Sequence, residues 1–339
     1  GVAYIFGASS NTGSSPSDGV IFLDVDTDPI NPLFLGEWDD FYVHDGMARG
    51  DTMYVGCIYE GDLYVVDVSD KANPLNLGNV GTPSDFTHNA WVSDNGNYVF
   101  TTDEVSDAYL GSYDISDLNN IQEIDRIQSN PGSNSIPHNT HVDGNFIITS
   151  YYRDGTVVHD ITNPHNLIEV AHYDSSPLSG DGFDGCWGTY PFLPSGNIIS
   201  SDINSGNNNN GRLLIYSRDF LQACYLEGNV SDITNSNPIT NATVEILNSV
   251  LTVQTSTDLS GNYMTGIANS SSYDIVFSAP GYLSDTINAT FSNGNTTIVN
   301  SQLQPLQSFN TSGSVIDVNG IGIPNSDVLI YNSSFSLNT

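Results

Sequence analysis

Four short motifs in the first two thirds of the chain contain side chains that bind metal ions. They are His44-Asp45-Gly46-Met47, His88-Asn89-Ala90-Trp91, His138-Asn139-Thr140-His141 and Asp184-Gly185-Cys186-Trp187. Neutral imidazole with carboxylate suits Zn, Fe, Mn or Cu. Glu104 adds an oxygen donor close to the second motif. The pattern predicts a divalent metal ion (Zn, Fe, Mn, Cu or Ca) held by His44, His88, His138, Glu104 and Asp184.

A structural interpretation of the same histidines remains open. A residue that recurs in phase is often part of the repeat itself, with each His hydrogen-bonded to the neighbouring unit. His138 and His141 form an HxxH motif, but residues three apart on a strand face opposite ways, so we do not expect them to share one ion. We expect His159, His165 and His172 to be structural or solvated.

The acidic residues offer two weaker candidates. Residues 24–28 (DVDTD) resemble a calcium loop, but Pro29 and Leu35 occupy positions where an EF-hand needs Gly and Glu. We therefore expect a turn of the repeat there, with weak calcium binding as the alternative. Asp103 and Glu104 are adjacent on a predicted strand and should face opposite ways, which argues against a shared acid–base role.

Aromatic residues accompany the same loops. Trp91, Tyr151 and Trp187 are candidate ligand-binding residues, because aromatic rings beside a channel can stack on sugars or apolar groups; packing between repeats is the alternative. The sequence contains no G-x-S-x-G, HExxH or Walker motif. We therefore predict no catalytic residue.

A repeat positions these motifs. An apolar stretch ending in Asp recurs at Asp24, Asp67, Asp114 and Asp160, and a Gly-led stretch recurs at positions 50, 96, 144 and 196. Four short strands in each unit of about 40–50 residues are typical of a β-propeller blade. Residues 1–196 give four copies and residues 197–220 half of a fifth, so we expect blades, or part of one, to precede Gly1.

The last third of the chain has a different composition. After Arg218 there is no Lys, Arg or His, and apolar residues alternate at period two over residues 228–304. About seven short strands there predict a small β-sandwich. The pattern begins again at residues 309–339. We therefore predict an all-β chain with a propeller over 1–222, a sandwich over 226–305 and the start of a second sandwich over 309–339.

Charge and cysteine content restrict the function. The chain has 6 Lys and Arg against 39 Asp and Glu, a net charge of -33. Nucleic acid is excluded as a partner, because its binding needs basic side chains that displace counterions from phosphate. No apolar run is long enough to span a membrane as a helix. The three cysteines (Cys57, Cys186 and Cys224) show neither a disulfide framework nor a zinc knuckle.

The first 220 residues resemble the propeller of the choice-of-anchor B family. The resemblance is carried by FTHNAW at 86–91, TDE at 102–104, IPHN at 136–139, FDGCWGTYPF at 183–192 and the LVIVD-type repeat LYVVD at 63–67. It implies an exported bacterial protein with a C-terminal surface anchor, including type IX secretion signals in Bacteroidetes. It implies no established reaction.

Residues 228–304 resemble carboxypeptidase regulatory-like domains, transthyretin-like sandwiches that act as non-catalytic spacers or interaction units. The matching residues include Gly228, Val230, GNY at 261–263 and PGY at 280–282. Together the two resemblances imply a secreted or cell-surface bacterial protein whose propeller binds an extracellular protein or glycan. The alternatives are a metal-dependent enzyme with its site at the propeller mouth, and a structural surface or filament component that self-associates through tandem sandwiches.

Overall fold

The computed structural model describes residues 1–8, 18–203, 211–249, 253–307, 312–332 and 335–338, and these are almost entirely β-strand and turn. A single 3₁₀ turn, Tyr152–Asp154, interrupts the strands. Among the residues described, no helix is both long enough and apolar enough to cross a membrane.

Residues 1–216 form five successive antiparallel sheets, the blades of a β-propeller. The first and fifth blades have three strands each, and the second, third and fourth have four. The strands of the first three blades are β1 Val2–Phe6, β2 Val20–Asp24, β3 Leu33–Trp38; β4 Asp45–Arg49, β5 Thr52–Cys57, β6 Asp62–Asp67, β7 Leu75–Gly81; and β8 Thr87–Val92, β9 Tyr98–Asp103, β10 Leu110–Asp114, β11 Gln122–Ile127. Those of the last two are β12 Pro137–Asp143, β13 Phe146–Tyr151, β14 Gly155–Asp160, β15 Ile168–Tyr173; and β16 Gly185–Tyr190, β17 Ile198–Ile203, β18 Arg212–Tyr216.

The repeated aspartates end strands by forming turns. Each carboxylate accepts the backbone N–H two residues ahead, as between Asp67 and Ser69 (2.8 Å) and between Asp114 and Ser116 (2.9 Å). Such turns satisfy backbone donors that would otherwise be lost where a strand stops. Asp24 does the same for Asp26 and also accepts the Thr27 hydroxyl (2.7 Å), so its carboxylate serves the turn predicted there.

The first strands of the four later blades lie side by side around a common axis, since β4 contacts β8, β8 contacts β12, and β12 contacts β16. Apolar clusters fill the space between consecutive blades; one holds Phe22, Trp38 and Met53, and another Leu63, Val92 and Tyr113. Burying side chains of this size contributes about 1.5–3 kcal/mol each. The clusters therefore fix the blades against one another and, with them, the residues at the axis.

The strands of the propeller match the expected number of repeats. The five sheets hold 18 strands, which is four copies and half of a fifth at four strands a copy. In the first sheet, Asp24 matches Asp67, so β1–β3 correspond to the second, third and fourth strands of the next blade. The fifth sheet contains the counterparts of the first three strands.

A two-sheet sandwich follows the propeller. One sheet contains β19 Cys224–Asp232, β22 Asn262–Ile267, β25 Thr296–Ile298 and β26 Ser301–Leu303; the other contains β20 Thr243–Ile246, β21 Val253–Ser256, β23 Ser272–Ser278 and β24 Asp285–Thr290. The described part of the sandwich therefore has eight strands, against about seven predicted. Inward-facing residues such as Val230, Ile275 and Phe277 are fully buried between the sheets.

The sandwich contacts the fourth blade directly. The Asp160 carboxylate accepts the Ala223 N–H at 2.6 Å, and the Asn166 side chain donates to the Thr265 carbonyl at 2.9 Å. Ile168, Ala223 and Tyr225 form an apolar cluster beside these bonds. Beyond the sandwich, β27 Leu329–Asn332 and β28 Phe335–Asn338 form a hairpin.

Candidate functional site

Three histidines meet at the mouth of the propeller axis. His44 directly precedes β4, and its N–H donates to the Gly56 carbonyl at 3.0 Å. His88 lies in β8 and His138 in β12. The ring centroids of His44 and His88 are 4.4 Å apart, and those of His88 and His138 are also 4.4 Å apart. The structure therefore brings together the three histidines that the sequence placed in one phase.

Bulges in the inner strands turn two of these histidines toward the axis. The register shifts between Thr87 and Asn89 in β8 and between Pro137 and Thr140 in β12. A bulge inserts a residue that opposes no single partner and re-aims its side chain. Gly56 lets the second blade approach this point, because a Cβ there would lie only 2.6 Å from the Thr87 carbonyl oxygen.

Glu104 joins the cluster from the next strand connection. Its Oε2 lies 3.4 Å from His88 Nε2, and its Oε1 lies 3.6 Å from His138 Nε2. The Tyr152 hydroxyl donates to Glu104 Oε1 at 2.6 Å. Potential ligand atoms of His44, His88 and Glu104 all lie within 4.8 Å of one another. Asp103 is instead buried in the sheet, where its carboxylate accepts the Ser84 N–H at 2.6 Å.

Burial favours the neutral form of His88 and His138. It lowers the pKa of His88 to about 2, helped by His138 and His44, against the opposing effect of the His138 carbonyl. It also lowers the pKa of His138 to about 4. Burial raises the pKa of Glu104, while the Tyr152 hydrogen bond and His44 oppose the shift. Neutral imidazoles are the form that binds metals, so at neutral pH these rings are ready to do so.

A polar triad lies beneath the histidines. Asp45 Oδ2 accepts the side-chain amides of Asn89 (3.0 Å) and Asn139 (2.5 Å). Asn89 Oδ1 in turn accepts the Thr140 N–H at 3.1 Å. These bonds join three consecutive blades at the axis. The sequence analysis did not single out this triad, although each mouth histidine is followed by Asp45, Asn89 or Asn139 and that pattern was visible.

A pocket of about 290 Å³ includes both the mouth and the triad; it is lined by His44, Asp45, His88, His138, Asn139, His141, Trp187, Gly188 and Thr189. Both His138 and His141 line it, contrary to the expected opposition of the two rings. The β12 bulge after Pro137 changes the alternation, so residues three apart reach the same pocket. His141 contacts Trp91 with ring centroids 4.5 Å apart.

The structure does not place Asp184 in this cluster. Asp184 forms an ion pair with Arg153. Trp187 takes the position equivalent to His88 and His138, since the β16 register shifts between Cys186 and Gly188. The indole lies 5.5 Å from the His138 ring. Asp184 shares the phase of the three histidines only when the four motifs are aligned without the bulge in β16.

The other predicted aromatic residues differ in accessibility. Tyr151 is fully buried within β13, so it cannot contact a ligand in the pocket. Trp91 is partly buried and stacks on Phe192 with centroids 5.7 Å apart. Trp187 is half exposed at the mouth. Tyr152 belongs with Tyr151 to the aromatics of the same loops, but nothing in its motif marks a side chain that bonds Glu104 of another blade.

The remaining histidines lie away from the mouth. His159 is completely buried in β14, and so it is structural rather than solvated. His165 is exposed in a turn. His172 is half-buried, with Nδ1 3.4 Å from Glu169 and Nε2 2.6 Å from the Asp154 carbonyl oxygen.

The donor atoms at the mouth are of the types that transition metals prefer. Three imidazoles and one carboxylate match the nitrogen-rich sets that bind Zn, Fe, Mn or Cu. Calcium takes six to eight oxygen ligands, and this cluster offers one carboxylate, so calcium fits poorly. The carboxylate already has the Tyr152 hydroxyl as a partner, which would orient it toward an ion.

Comparison with known proteins adds a family for part of the chain. Curated protein sequences gave no match. Solved structures gave weak likenesses: a Lactobacillus plantarum protein (12% identity, 85% of this chain and 81% of that one, TM-score 0.44), a Bacteroides thetaiotaomicron protein of unknown function (12%, 85% and 63%, 0.42) and Kuenenia stuttgartiensis hydrazine synthase (13%, 73% and 66%, 0.37). Scores this low support no functional assignment. Residues 225–304 match the carboxypeptidase regulatory-like domain, which confirms that part of the chain as such a domain.

Proposed function

We propose that this chain is an extracellular, non-catalytic binding protein that holds a divalent transition metal ion at the propeller mouth. The observation that carries the proposal is the convergence of His44, His88 and Glu104 ligand atoms within 4.8 Å. The sandwich acts as a spacer that displays the propeller. Carboxypeptidase regulatory-like domains are typical of extracellular proteins, and the resemblance of the propeller to the choice-of-anchor B family agrees with a surface location.

The histidine cluster has features of a metal site beyond proximity. His88 Nδ1 and His138 Nδ1 are buried and make no hydrogen bond to any residue that the structure describes. Buried polar atoms of folded proteins usually have partners, so this cluster is incompletely satisfied. An ion bound to His44, His88, His138 and Glu104 would use the Nε2 atoms of His88 and His138, which face the carboxylate, and would leave each Nδ1 atom as an N–H donor.

The groups around the pocket favour binding over covalent catalysis. The Cys186 thiol is buried, and burial raises its pKa to about 11, which disfavours the nucleophilic thiolate. The Ser150 hydroxyl donates to the carbonyls of Asn139 and Trp187 at 3.2 Å each, so it serves the backbone. A rigid site with an ion and open pocket space suits capture of a ligand.

Metal binding is tested by equilibrium dialysis against Zn²⁺, Mn²⁺, Cu²⁺ or Fe²⁺, followed by elemental analysis. We expect about one tightly bound ion per wild-type chain and its loss in His88→Ala. His165→Ala is the matched control, since His165 is exposed and outside the pocket. Circular dichroism confirms that both variants are folded. Equal metal content in His88→Ala and wild type would refute the site.

The second candidate is a metal-dependent enzyme. It is favoured by the short Tyr152–Glu104 hydrogen bond, which places a proton donor and acceptor beside the same pocket. Incubating metal-loaded protein with a panel of esters, phosphoesters and glycosides distinguishes the candidates. Turnover that disappears in His88→Ala and in Tyr152→Phe would establish the enzyme, whereas metal binding without turnover supports the binding protein.

A further inference from the structure

We propose that the metal-loaded pocket binds a neutral glycan, with a sugar ring stacked on Trp187 and one hydroxyl oxygen of the sugar as a fifth ligand of the metal ion. This inference rests on the proposed function, because it places the ion between His44, His88, His138 and Glu104. It goes further by assigning the class of ligand and the residue that selects it.

A continuous series of aromatic rings follows the mouth. Starting from Tyr59, it passes through Tyr42, His44, His88 and His138 to Trp187, with successive ring centroids 4.4–5.9 Å apart. The imidazoles that would hold the ion therefore lie between an aromatic pair on one side and an indole on the other. A ligand bound to the ion must rest on one of these rings.

The outer rings of this series are accessible. Tyr59 is 76% exposed and Trp187 is 50% exposed. Phe183, 59% exposed, lies near the same mouth, with its ring 5.3 Å from Tyr152. Large exposed aromatic groups around a pocket mark binding surfaces. The backbone beneath Trp187 is held by the Ser150 hydroxyl at 3.2 Å, so the indole stands on a fixed support.

The floor of the pocket offers polar atoms that have no partner among the described residues. Asn139 Oδ1 and His141 Nδ1 are buried and accept nothing from the residues within the described ranges. Asp45 contributes a carboxylate. A ligand that fits needs an apolar face for the indole and several O–H donors for these acceptors. A pyranose ring carries both, with C–H groups on its faces and hydroxyls around its rim.

The charges of the chain and of the bound ion favour an uncharged ligand in the pocket. The chain carries a net charge of -33, Asp45 lines the pocket, and Glu104 lies behind the His88 and His138 rings that line it. This field repels polyanions such as acidic polysaccharides. A cationic ligand would also fit an aromatic rim, but the bound metal ion opposes it. A neutral sugar is repelled neither by the acidic groups nor by the metal ion, and its hydroxyl oxygen can bind the ion.

The test uses the full chain loaded with Zn²⁺ and a panel of methyl glycosides of mannose, galactose, glucose and fucose, with 3′-sialyllactose and choline as charged comparisons. Titration calorimetry and the fluorescence of Trp187 report binding. We expect at least one neutral glycoside to bind, and binding to weaken at least about tenfold when the metal is removed by a chelator. Binding of none of the four, or preference for sialyllactose or choline, would overturn the proposal.

Variants separate this proposal from the metal site itself. Trp187→Ala should lose glycoside binding while keeping the ion, whereas His88→Ala should lose both. Tyr190→Ala is the matched control, because Tyr190 is similarly exposed on the same strand but does not line the pocket. Unchanged glycoside affinity in Trp187→Ala would refute the role of the indole. A protein that binds Zn²⁺ but no sugar refutes the glycan and leaves the proposed metal site standing.

Discussion

The propeller axis and the sandwich core are both made of antiparallel strands, yet they enclose opposite kinds of interior. The sandwich interior is apolar, with Val230, Ile275 and Phe277 fully buried, and its β19–β22 and β20–β23 ladders run without a register shift. The axis holds buried His88 and His138, and the strands that carry them are bulged. The regular ladders of the sandwich enclose an apolar core, whereas the bulged inner strands at the axis border a pocket.

The comparison predicts that stability and binding are separable. The sandwich contributes no histidine, so no imidazole of that domain can bind a metal or titrate near neutral pH. At the axis, polar groups occupy buried space that apolar side chains fill in a core. Four predictions test whether stability and metal binding depend on different regions of the chain.

The largest expected effect is on the sandwich core. Phe277→Ala removes a fully buried ring that lies 5.8 Å from Tyr263, and it should lower the free energy of unfolding by about 3–5 kcal/mol. Chemical denaturation measures the loss, with Phe277→Leu as the milder control. Metal affinity of the folded fraction should stay at the wild-type value. A parallel drop in metal affinity would show that the two regions are coupled through the Asp160–Ala223 contact.

The next effect concerns acid stability of the propeller. Burial lowers the pKa of His159 to about 4, so the folded state resists a proton that the unfolded chain binds near pH 6.5. Its stabilising contribution is complete above pH 6.5 and is lost as the pH falls toward 4, by up to about 3 kcal/mol. Denaturation at several pH values should show this decline in wild type and a flatter profile in His159→Leu. Identical profiles would contradict the prediction.

His172 supplies a control of opposite sign. Burial lowers its pKa, but the hydrogen bond and charge of Glu169 and the charge of Asp154 outweigh burial and raise it to about 9. Its contribution is therefore complete below pH 6.5 and is lost as the pH rises through 9. His172→Gln should remove the alkaline decline and leave the acid decline in place.

The sequence predicted the fold better than the site, for a physical reason. Strand period and turn residues are local, so the all-β class and a sandwich after the propeller, predicted over 226–305, could be read from the sequence; the class is confirmed, and the family match covers 225–304. The phase of His44, His88 and His138 was equally visible. Trp187 was misaligned and Asp184 wrongly included because a bulge shifts register by one residue without a mark in composition. Tyr152 was visible as an aromatic of the same loops, but its bond to Glu104 could not be predicted, since the two residues lie 48 positions apart.

The third prediction concerns the triad that joins the blades at the axis. Asp45→Asn exchanges a carboxylate that accepts amides from Asn89 and Asn139 for a neutral side chain. Hydrogen bonds to charged groups contribute about 1.5–3 kcal/mol, so we expect a stability loss of about 1–3 kcal/mol by urea denaturation. Asp51→Asn, at an exposed turn, is the control and should change little. Equal stabilities of the two variants would mean that water replaces the triad without cost.

The smallest effect should fall on metal affinity through Tyr152. Its hydroxyl donates to Glu104 Oε1, which leaves Oε2 nearest to His88. Removing the partner of a ligating carboxylate typically lowers metal affinity 10- to 100-fold, and we expect about tenfold for Tyr152→Phe by chelator competition with Zn²⁺. Tyr151→Phe is an unusually close control, because the adjacent hydroxyl is buried and Tyr151 does not line the pocket. A changed visible spectrum of the Co²⁺-loaded Tyr152→Phe protein, beside an unchanged Tyr151→Phe spectrum, would distinguish ligand orientation from a general loss of packing.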